Sequence, residues 1–203
     1  MHNLDKPPQN FNFCGGKSKF WVRKMKTRAE CLKEYGSDYM IQKKIDAGEL
    51  FKVGKGIYSD DKFAPELAVL SYRFPDAVVT MRNAFYMHDL TDVIPDGYDL
   101  STDRNAYKIS DKDVKQYFEP SDFFEQGIET MDYKGYPVRI YSKERMLIEL
   151  LRYKNKLPYD YYKEILRNFR TIMPQLDIQA IQDYAYEAPK SEMIMKTLQA
   201  EVL

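Results

Sequence analysis

The sequence predicts an α+β protein, because helix-like and strand-like patterns occupy separate parts of the chain. Residues 17–60 show two short helical patterns followed by a hairpin pattern. Residues 97–141 contain β-prone pieces separated by turn residues, which is typical of a small mixed sheet. After that sheet, apolar residues recur at helical spacing in several segments. We therefore divide the chain into a flexible tail (1–16), a small domain (17–60) and a larger α+β domain (61–203).

Composition limits the class of protein. Hydrophobic residues make up 44% and charged residues 31%, which is ordinary for a soluble globular protein. No stretch of apolar residues is long enough for a membrane span, and the N-terminal residues lack the pattern of a signal peptide. Cys14 and Cys31 are too few for a disulfide framework, and we expect both to be free thiols in a cytoplasmic protein.

Charge is distributed unevenly although the net charge is zero. The segment from Lys17 to Lys55 holds eleven Lys or Arg and five Asp or Glu residues, a balance of +6 that the rest of the chain offsets. This asymmetry favours a basic contact module attached to an acidic body.

A capping signal marks the first helix of the small domain. Thr27 and Glu30 are spaced as a capping box, in which each side chain accepts a hydrogen bond from the other residue's backbone amide. The helix that follows is expected from about Arg28 to Glu34, and Gly36, which can adopt a positive φ, breaks it. An upstream helix over Lys19–Lys26 would complete a three-helix core.

A second helix is predicted directly after the break. Ser37 or Asp38 caps it, and it extends from about Tyr39 to Ala47. Ile41 and Ile45 are four residues apart and supply the face that is buried against the first helix.

A hairpin pattern completes the small domain. The β-prone runs Glu49–Val53 and Ile57–Ser59 flank Gly54-Lys55-Gly56, a link typical of a tight turn. Leu50 and Tyr58 can close the helical core from this side. Helix, turn, helix and hairpin is the element order of a winged helix-turn-helix.

The helix-turn-helix interpretation predicts a DNA contact surface. The second helix would present its outer face to the major groove, where Gln42 can pair with adenine, and Lys43 and Lys44 can contact phosphates or guanine. Lys52 and Lys55 would place positive charge on the wing. The candidate DNA-binding residues are Arg23, Lys24, Lys26, Thr27, Arg28, Ser37, Tyr39, Met40, Gln42, Lys43, Lys44, Lys52 and Lys55.

The larger domain is predicted to combine helices with a small sheet. The expected helices are Phe63–Arg73, Arg82–His88 with Thr80 as its cap, Lys143–Tyr153 with Ser142 as its cap, Tyr159–Met173, Asp177–Tyr186 and Lys190–Val202. The expected strands are Ala77–Thr80, Tyr98–Thr102, Ala106–Ile109, Phe123–Ile128 and Tyr136–Tyr141.

Catalytic motifs are absent from the sequence, and we expect no enzyme, no cofactor and no metal site. Of the two histidines, His2 lies in the tail, and His88 follows an apolar helix, where a structural role is the expected one. A second candidate functional surface, in the larger domain, consists of Arg82, His88, Asp89, Asp92, Arg139 and Arg145.

Three segments carry a family resemblance. The run YGSDYMIQKKIDAGELFKVGKGIYS resembles the N-terminal winged helix of the AbiEi antitoxins of type IV toxin–antitoxin systems, which are bacterial phage-defence operons. FPDAVVTMRNAFYMHDLTDVIP resembles the segment that follows the wing in that family, and YPVRIYSKERMLIELLR resembles its later strand and helix. These segments occur in the family's order and are spread over residues 35–152.

The resemblance implies a transcriptional autorepressor that binds inverted repeats in its own promoter. It also implies that the C-terminal domain counteracts a nucleotidyltransferase-like toxin without forming a stable complex. The chain would then be a monomer or weak dimer that pairs on DNA, because each repeat takes one copy.

The residues alone leave alternatives open. Exposed lysines are also typical of a solvated helical face, and many winged helices bind protein instead of DNA. In that alternative, the acidic C-terminal part binds a partner protein directly, through a helix that presents Met193, Ile194 and Leu198. An enzyme is a third alternative, which no residue constellation supports.

Overall fold

The computed structural model describes residues 24–202, which form two compact units. The first unit comprises residues 24–75 and 132–137, and the second comprises residues 76–131 and 138–202. The predicted domain boundary at residue 60 therefore falls inside the first unit. The predicted tail, Cys14 and Arg23 lie outside the described residues.

The first unit combines three strands with three helices. Its elements are β1 (Met25–Thr27), α1 (Arg28–Tyr35), α2 (Asp38–Asp46), β2 (Phe51–Gly54), β3 (Ile57–Ser59) and α3 (Glu66–Arg73). The strands form an antiparallel sheet in the order β1-β3-β2. A helix was predicted over Lys19–Lys26, and this prediction is wrong for the part of the segment that the structure describes. There the backbone is extended and pairs with β3, with Met25 opposite Ser59 and Thr27 opposite Ile57.

Both predicted helix caps of the first unit are confirmed. Thr27 Oγ1 accepts a hydrogen bond from the Glu30 amide at 3.2 Å, and Glu30 Oε2 accepts one from the Thr27 amide at 2.7 Å. Gly36 follows α1 with a φ of +86°, a conformation that costs glycine little. Ser37, and not Asp38, caps α2 by accepting from the Met40 amide at 3.3 Å.

Two apolar clusters stabilise the first unit. The first contains Cys31, Ile41, Leu50 and Tyr58, with Ile45 partly buried against it, as the sequence predicts. This cluster fixes the orientation of α2, because Ile41 is buried on its inner face.

The second cluster includes a residue that is distant in sequence. Met25, Ile57, Ala68 and Val69 pack together with Tyr136, which is 3% exposed. Tyr136 belongs to the segment 132–137 that completes the first unit.

The second unit is built around a five-stranded sheet in the order β6-β5-β4-β8-β7. Its strands are β4 (Val78–Val79), β5 (Tyr98–Asp103), β6 (Val114–Glu119), β7 (Ile128–Tyr133) and β8 (Tyr136–Tyr141), of which β7 and β8 contribute their turn-proximal ends to the first unit. Its helices are α4 (Met81–Met87), α5 (Ser121–Phe124), α6 (Lys143–Arg152), α7 (Tyr159–Ile172), α8 (Ile178–Glu187) and α9 (Ser191–Glu201), with 3₁₀ turns at Lys154–Lys156 and Met173–Gln175.

The predicted strand Ala106–Ile109 is wrong. The Asp103 carboxylate accepts from the Asn105 amide at 2.7 Å, which turns the chain, and the side-chain oxygen of Gln116 accepts from the Ile109 amide at 2.8 Å. The Ile109 amide thus bonds to a side chain and the Ala106 amide to the Asp103 carbonyl. On the side away from β4, β5 pairs with β6, a strand that was not predicted.

The predicted strand Phe123–Ile128 is also wrong, because the short helix α5 occupies its beginning. Pro120 sets the chain for a helical turn, and its carbonyl accepts from the amides of Phe123 and Phe124. Both aromatic side chains are buried in this conformation. The strand β7 begins only at Ile128.

Apart from α5, the helices of the second unit agree with the predicted ones within two residues at their ends. Ser142 caps α6 as predicted, accepting from the Arg145 amide at 3.3 Å. Thr80 precedes α4 as predicted, but its hydroxyl donates to the Met146 sulfur at 3.8 Å and does not cap the helix.

Candidate nucleic-acid interface

The outer face of α2 carries polar and aromatic side chains. Tyr39 is 75% exposed, Gln42 and Lys43 are exposed, and Met40 is half-buried. The Gln42 side-chain amide donates to Asp46 Oδ1 at 2.8 Å, which orients it along the helix surface. This face is therefore open to a partner.

Several lysines near α2 in the sequence form no ion pair with a described carboxylate. Among residues 24–202, Lys24, Lys43, Lys52 and Lys55 are exposed and form no ion pair. Lys52 lies on β2, and Lys55 lies in the turn to β3. Lys33 on α1 shares these properties, and the sequence analysis missed it although its helical position could have indicated it.

Three other predicted DNA-binding cations are already paired. Lys26 lies 2.7 Å from Glu34, and the Arg28 guanidinium makes two hydrogen bonds to Asp38, at 3.0 and 2.5 Å. The hydrogen bond from Lys26 holds the pKa of Glu34 below its ordinary value.

Lys44 is the third of these cations, with a contact of 2.5 Å to Glu49. Such pairs reduce the charge that each cation offers to a phosphate. Thr27 and Ser37, also predicted to bind DNA, use their hydroxyls as helix caps. Their observed role is therefore structural.

The second candidate surface is not formed as predicted, because two of its members lie in the interior. Arg145 has no exposed surface, and His88 is 4% exposed. Arg145 is surrounded by groups that compensate its charge: Nε donates to Glu149 Oε1 at 2.9 Å, and NH1 donates to the carbonyl of Phe123 at 2.5 Å.

The remaining members of that surface differ in environment. Arg82 forms an ion pair with the buried Asp99 at 2.9 Å. Arg139 lies 3.6 Å from Glu125. Asp89 and Asp92 are exposed. These residues hold the second unit together or face solvent, and they do not form one cluster.

His88 is a structural histidine, as the sequence predicts. Its Nε2 lies 2.7 Å from the Tyr141 carbonyl oxygen, so this nitrogen carries the proton and donates it. Nδ1 has no hydrogen-bond partner in the described part of the chain. Burial lowers the pKa of His88 below its ordinary value, and Glu129, 4.0 Å away, only partly opposes this effect.

Acidification from about pH 7.5 to about pH 5.5 is expected to destabilise the wild-type chain more than the His88→Gln variant. The unfolded chain takes up the histidine proton near pH 6.5, whereas the folded chain resists it. The stability that the neutral imidazole contributes is therefore present above that pH and is lost as pH falls. Urea unfolding at each pH measures the effect, and an identical pH dependence in both proteins would contradict it.

In the alternative interpretation a C-terminal helix binds a partner protein, but most of its predicted contact residues are buried. Ile194 and Leu198 of α9 are at most 1% exposed, and only Met193, at 39%, reaches the surface. Helical spacing in this segment thus reflects packing within the second unit.

Comparison with known proteins gives a likeness of fold. No protein-family model and no curated protein matches the chain. Among solved structures, the RV2827C protein from Mycobacterium tuberculosis matches with a TM-score of 0.59 and 13% identity, over 87% of this chain and 72% of that chain. At this identity the match concerns the fold alone and supports a mixed α+β architecture.

No helix among residues 24–202 is both long enough and apolar enough to cross a membrane.

Proposed function

We propose that the chain binds double-stranded DNA through the first unit, as a winged helix-turn-helix in which α2 enters the major groove. The observation that carries this proposal is the outer face of α2, where Gln42 and Lys43 are exposed while Ile41 anchors the opposite face. Gln42 matches the donor and acceptor pattern of adenine once it leaves Asp46, and Lys43 matches phosphate or guanine acceptors.

The hairpin supplies the second contact of this proposal. Lys52 and Lys55 place unneutralised charge on β2 and on the turn that follows it. A wing of this kind contacts the DNA backbone or the minor groove beside the recognition helix, and such phosphate contacts set orientation but carry no sequence information.

The double substitution Lys43→Ala, Lys55→Ala is expected to weaken DNA binding by the full chain about tenfold or more, because two phosphate contacts are lost. Fluorescence anisotropy with a duplex from the chain's own promoter measures the affinity. Between about 50 and 200 mM salt, the slope of log K against log salt should become shallower by about 0.9 for each lost contact.

Controls separate this effect from a general loss of charge. Lys196→Ala removes an exposed lysine of α9 and should leave affinity and slope unchanged. Gln42→Ala should weaken binding to the promoter repeat more than to an unrelated duplex, because it removes a base contact. Unchanged promoter binding by the Lys43, Lys55 variant would show that this face is not the DNA-binding surface.

The larger role that we propose is that of an autorepressing antitoxin. It rests on the resemblance of three ordered segments to the AbiEi antitoxins. In this role the chain represses its own operon and counteracts a nucleotidyltransferase-like toxin without a stable complex. Co-expression with the product of the neighbouring gene tests it: growth should be rescued by the chain, and the two proteins should not co-purify. Co-purification that survives high salt would instead favour a directly binding partner protein.

A further inference from the structure

The second unit contains a shallow pocket of about 270 Å³ beside the edge strand β6. It is lined by Lys115, Tyr117 and Phe118 of β6, by Met81 at the start of α4, and by Tyr153 and Lys156 after α6. Pockets for small ligands commonly measure about 300–1,000 Å³, so this one suits a ligand near the lower limit.

Aromatic rings form part of the pocket wall. Tyr117 and Tyr153 meet edge to face with ring centroids 5.5 Å apart and planes at 84°. Burial raises the pKa of Tyr153 to about 12, so its hydroxyl stays protonated. These rings offer flat apolar surface for stacking.

Two lysines give the pocket a positive charge. The Lys115 ammonium lies 4.9 Å from the Tyr117 ring centroid, and the Lys156 ammonium lies 5.0 Å from that of Tyr153. Neither lysine forms an ion pair with any residue between 24 and 202. Each amine is thus held near a ring but keeps its charge for a ligand.

The nearby Arg152 is already neutralised, unlike the two lysines. It donates to Glu119 Oε2 at 2.9 Å and to Glu149 Oε1 at 2.6 Å. The acidic groups beside the pocket are therefore occupied by this arginine, and the positive charge of Lys115 and Lys156 is not cancelled.

The backbone at the pocket is held in an unusual conformation. Met81 has a φ of +44° and is 2% exposed, and a long side chain rarely adopts this left-handed region. Asp99 fixes the backbone on either side, because its carbonyl accepts from the Thr80 amide and its carboxylate from the Arg82 amide, both at 3.0 Å. Strain that the surroundings enforce is typical of ligand sites.

We propose that this pocket binds a nucleotide, with the base against the aromatic rings and the phosphate between Lys115 and Lys156. Stacking tolerates any base, because every base has a flat face, and the ammonium groups attract the phosphate. The same chemistry is offered by a free mononucleotide and by the 5′-phosphorylated end of a single strand. This site belongs to the second unit and is independent of the duplex-binding face proposed for the first.

Titration calorimetry of the full chain with the four ribonucleoside monophosphates tests the proposal. Binding should weaken about tenfold or more in the Lys115→Ala, Lys156→Ala variant, which loses two charge-assisted contacts. The Tyr117→Leu variant, which loses one ring of the pocket wall, should bind several-fold more weakly. The control Lys108→Ala, at another exposed lysine, should bind like the wild type. Circular dichroism establishes that each variant is folded.

Further ligands separate the roles of base, phosphate and chain end. Tighter binding of a 5′-phosphorylated trinucleotide than of a mononucleotide would assign the site to a strand end, and the reverse would assign it to a free nucleotide. Equal affinity for inorganic phosphate, or for the unphosphorylated nucleoside, would overturn the proposal. The absence of nucleotide binding would also overturn the proposal. Nucleotide binding that is lost in the Lys43→Ala, Lys55→Ala variant but kept in the Lys115→Ala, Lys156→Ala variant would overturn it as well.

Discussion

Replacing Arg145 with Met is expected to lower the free energy of unfolding of the second unit by about 3–5 kcal/mol, the usual cost of removing one partner from a buried ion pair. Arg145 is fully buried, and its guanidinium lies 3.4 Å from the Phe123 ring centroid and 4.4 Å from that of Tyr141. Without it, Glu149, which is 2% exposed, keeps only Arg152 as a counter-ion among the described residues, and the carbonyls of Phe123 and Gln126 lose the guanidinium as a donor.

Urea unfolding followed by circular dichroism measures this loss, and hydrogen exchange of α6 assigns it to the second unit. Arg104→Met is the matched control, because this exposed arginine lies in a turn, and its change should stay within about 0.5 kcal/mol. A double change that also replaces Glu149 with Leu should cost less than the sum of the single changes, since the unpaired carboxylate is removed. Equal, small effects of Arg145→Met and Arg104→Met would refute the structural role.

Arg145 illustrates what a single sequence conceals. In the run Lys143–Arg152, helical spacing alone places Arg145, Glu149 and Arg152 together, yet charged residues of this kind usually face solvent. Their burial depends on Glu119, whose strand the sequence analysis missed, and on carbonyls of a segment wrongly predicted as a strand. Contacts between residues distant in sequence thus decided the environment of this arginine.

The first unit was more predictable because local signals determine its helices. The capping box of Thr27 and Glu30 and the break at Gly36 act within a few residues of one another, and the structure contains both. The exposed positions of Gln42 and Lys43 follow from helical spacing once Ile41 is assigned to the core. Which cations keep their charge could not be predicted in the same way.

Arg28 and Lys26 show why the sequence alone does not reveal which cations are paired. Arg28 reaches Asp38 across the turn between the two helices, and Lys26 reaches Glu34 from β1, at separations of ten and eight residues. Neither separation is the three or four residues at which side chains meet within one helix. The strand β1 was itself predicted as helix, so the position of Lys26 could not be derived from the sequence.

Tyr136→Ala is expected to lower the free energy of unfolding of the first unit by about 3–5 kcal/mol, as for other large aromatic residues removed from a core. The ring packs against Met25, Ile57 and Val69, and the hydroxyl is hydrogen-bonded to the buried Ser59 at 3.2 Å. A chain that ends after residue 75 lacks Tyr136 altogether and should be destabilised to a similar degree, although it retains every residue of β1–β3 and α1–α3. Hydrogen exchange of the amides in β3 and α3 measures both losses locally.

Tyr136→Phe is the matched control, because it keeps the ring and removes only the hydroxyl. Its expected cost is about 1–3 kcal/mol, since the buried Ser59 hydroxyl loses its hydrogen bond to Tyr136 and keeps only the one from the Asp61 amide among the described residues. If the Ala variant and the truncated chain exchanged the β3 amides as slowly as the wild type, residues 132–137 would contribute nothing to the first unit. If they exchange faster, DNA binding must be measured on the full chain, because β3 contributes both to the cluster that Tyr136 completes and to the cluster that holds α2.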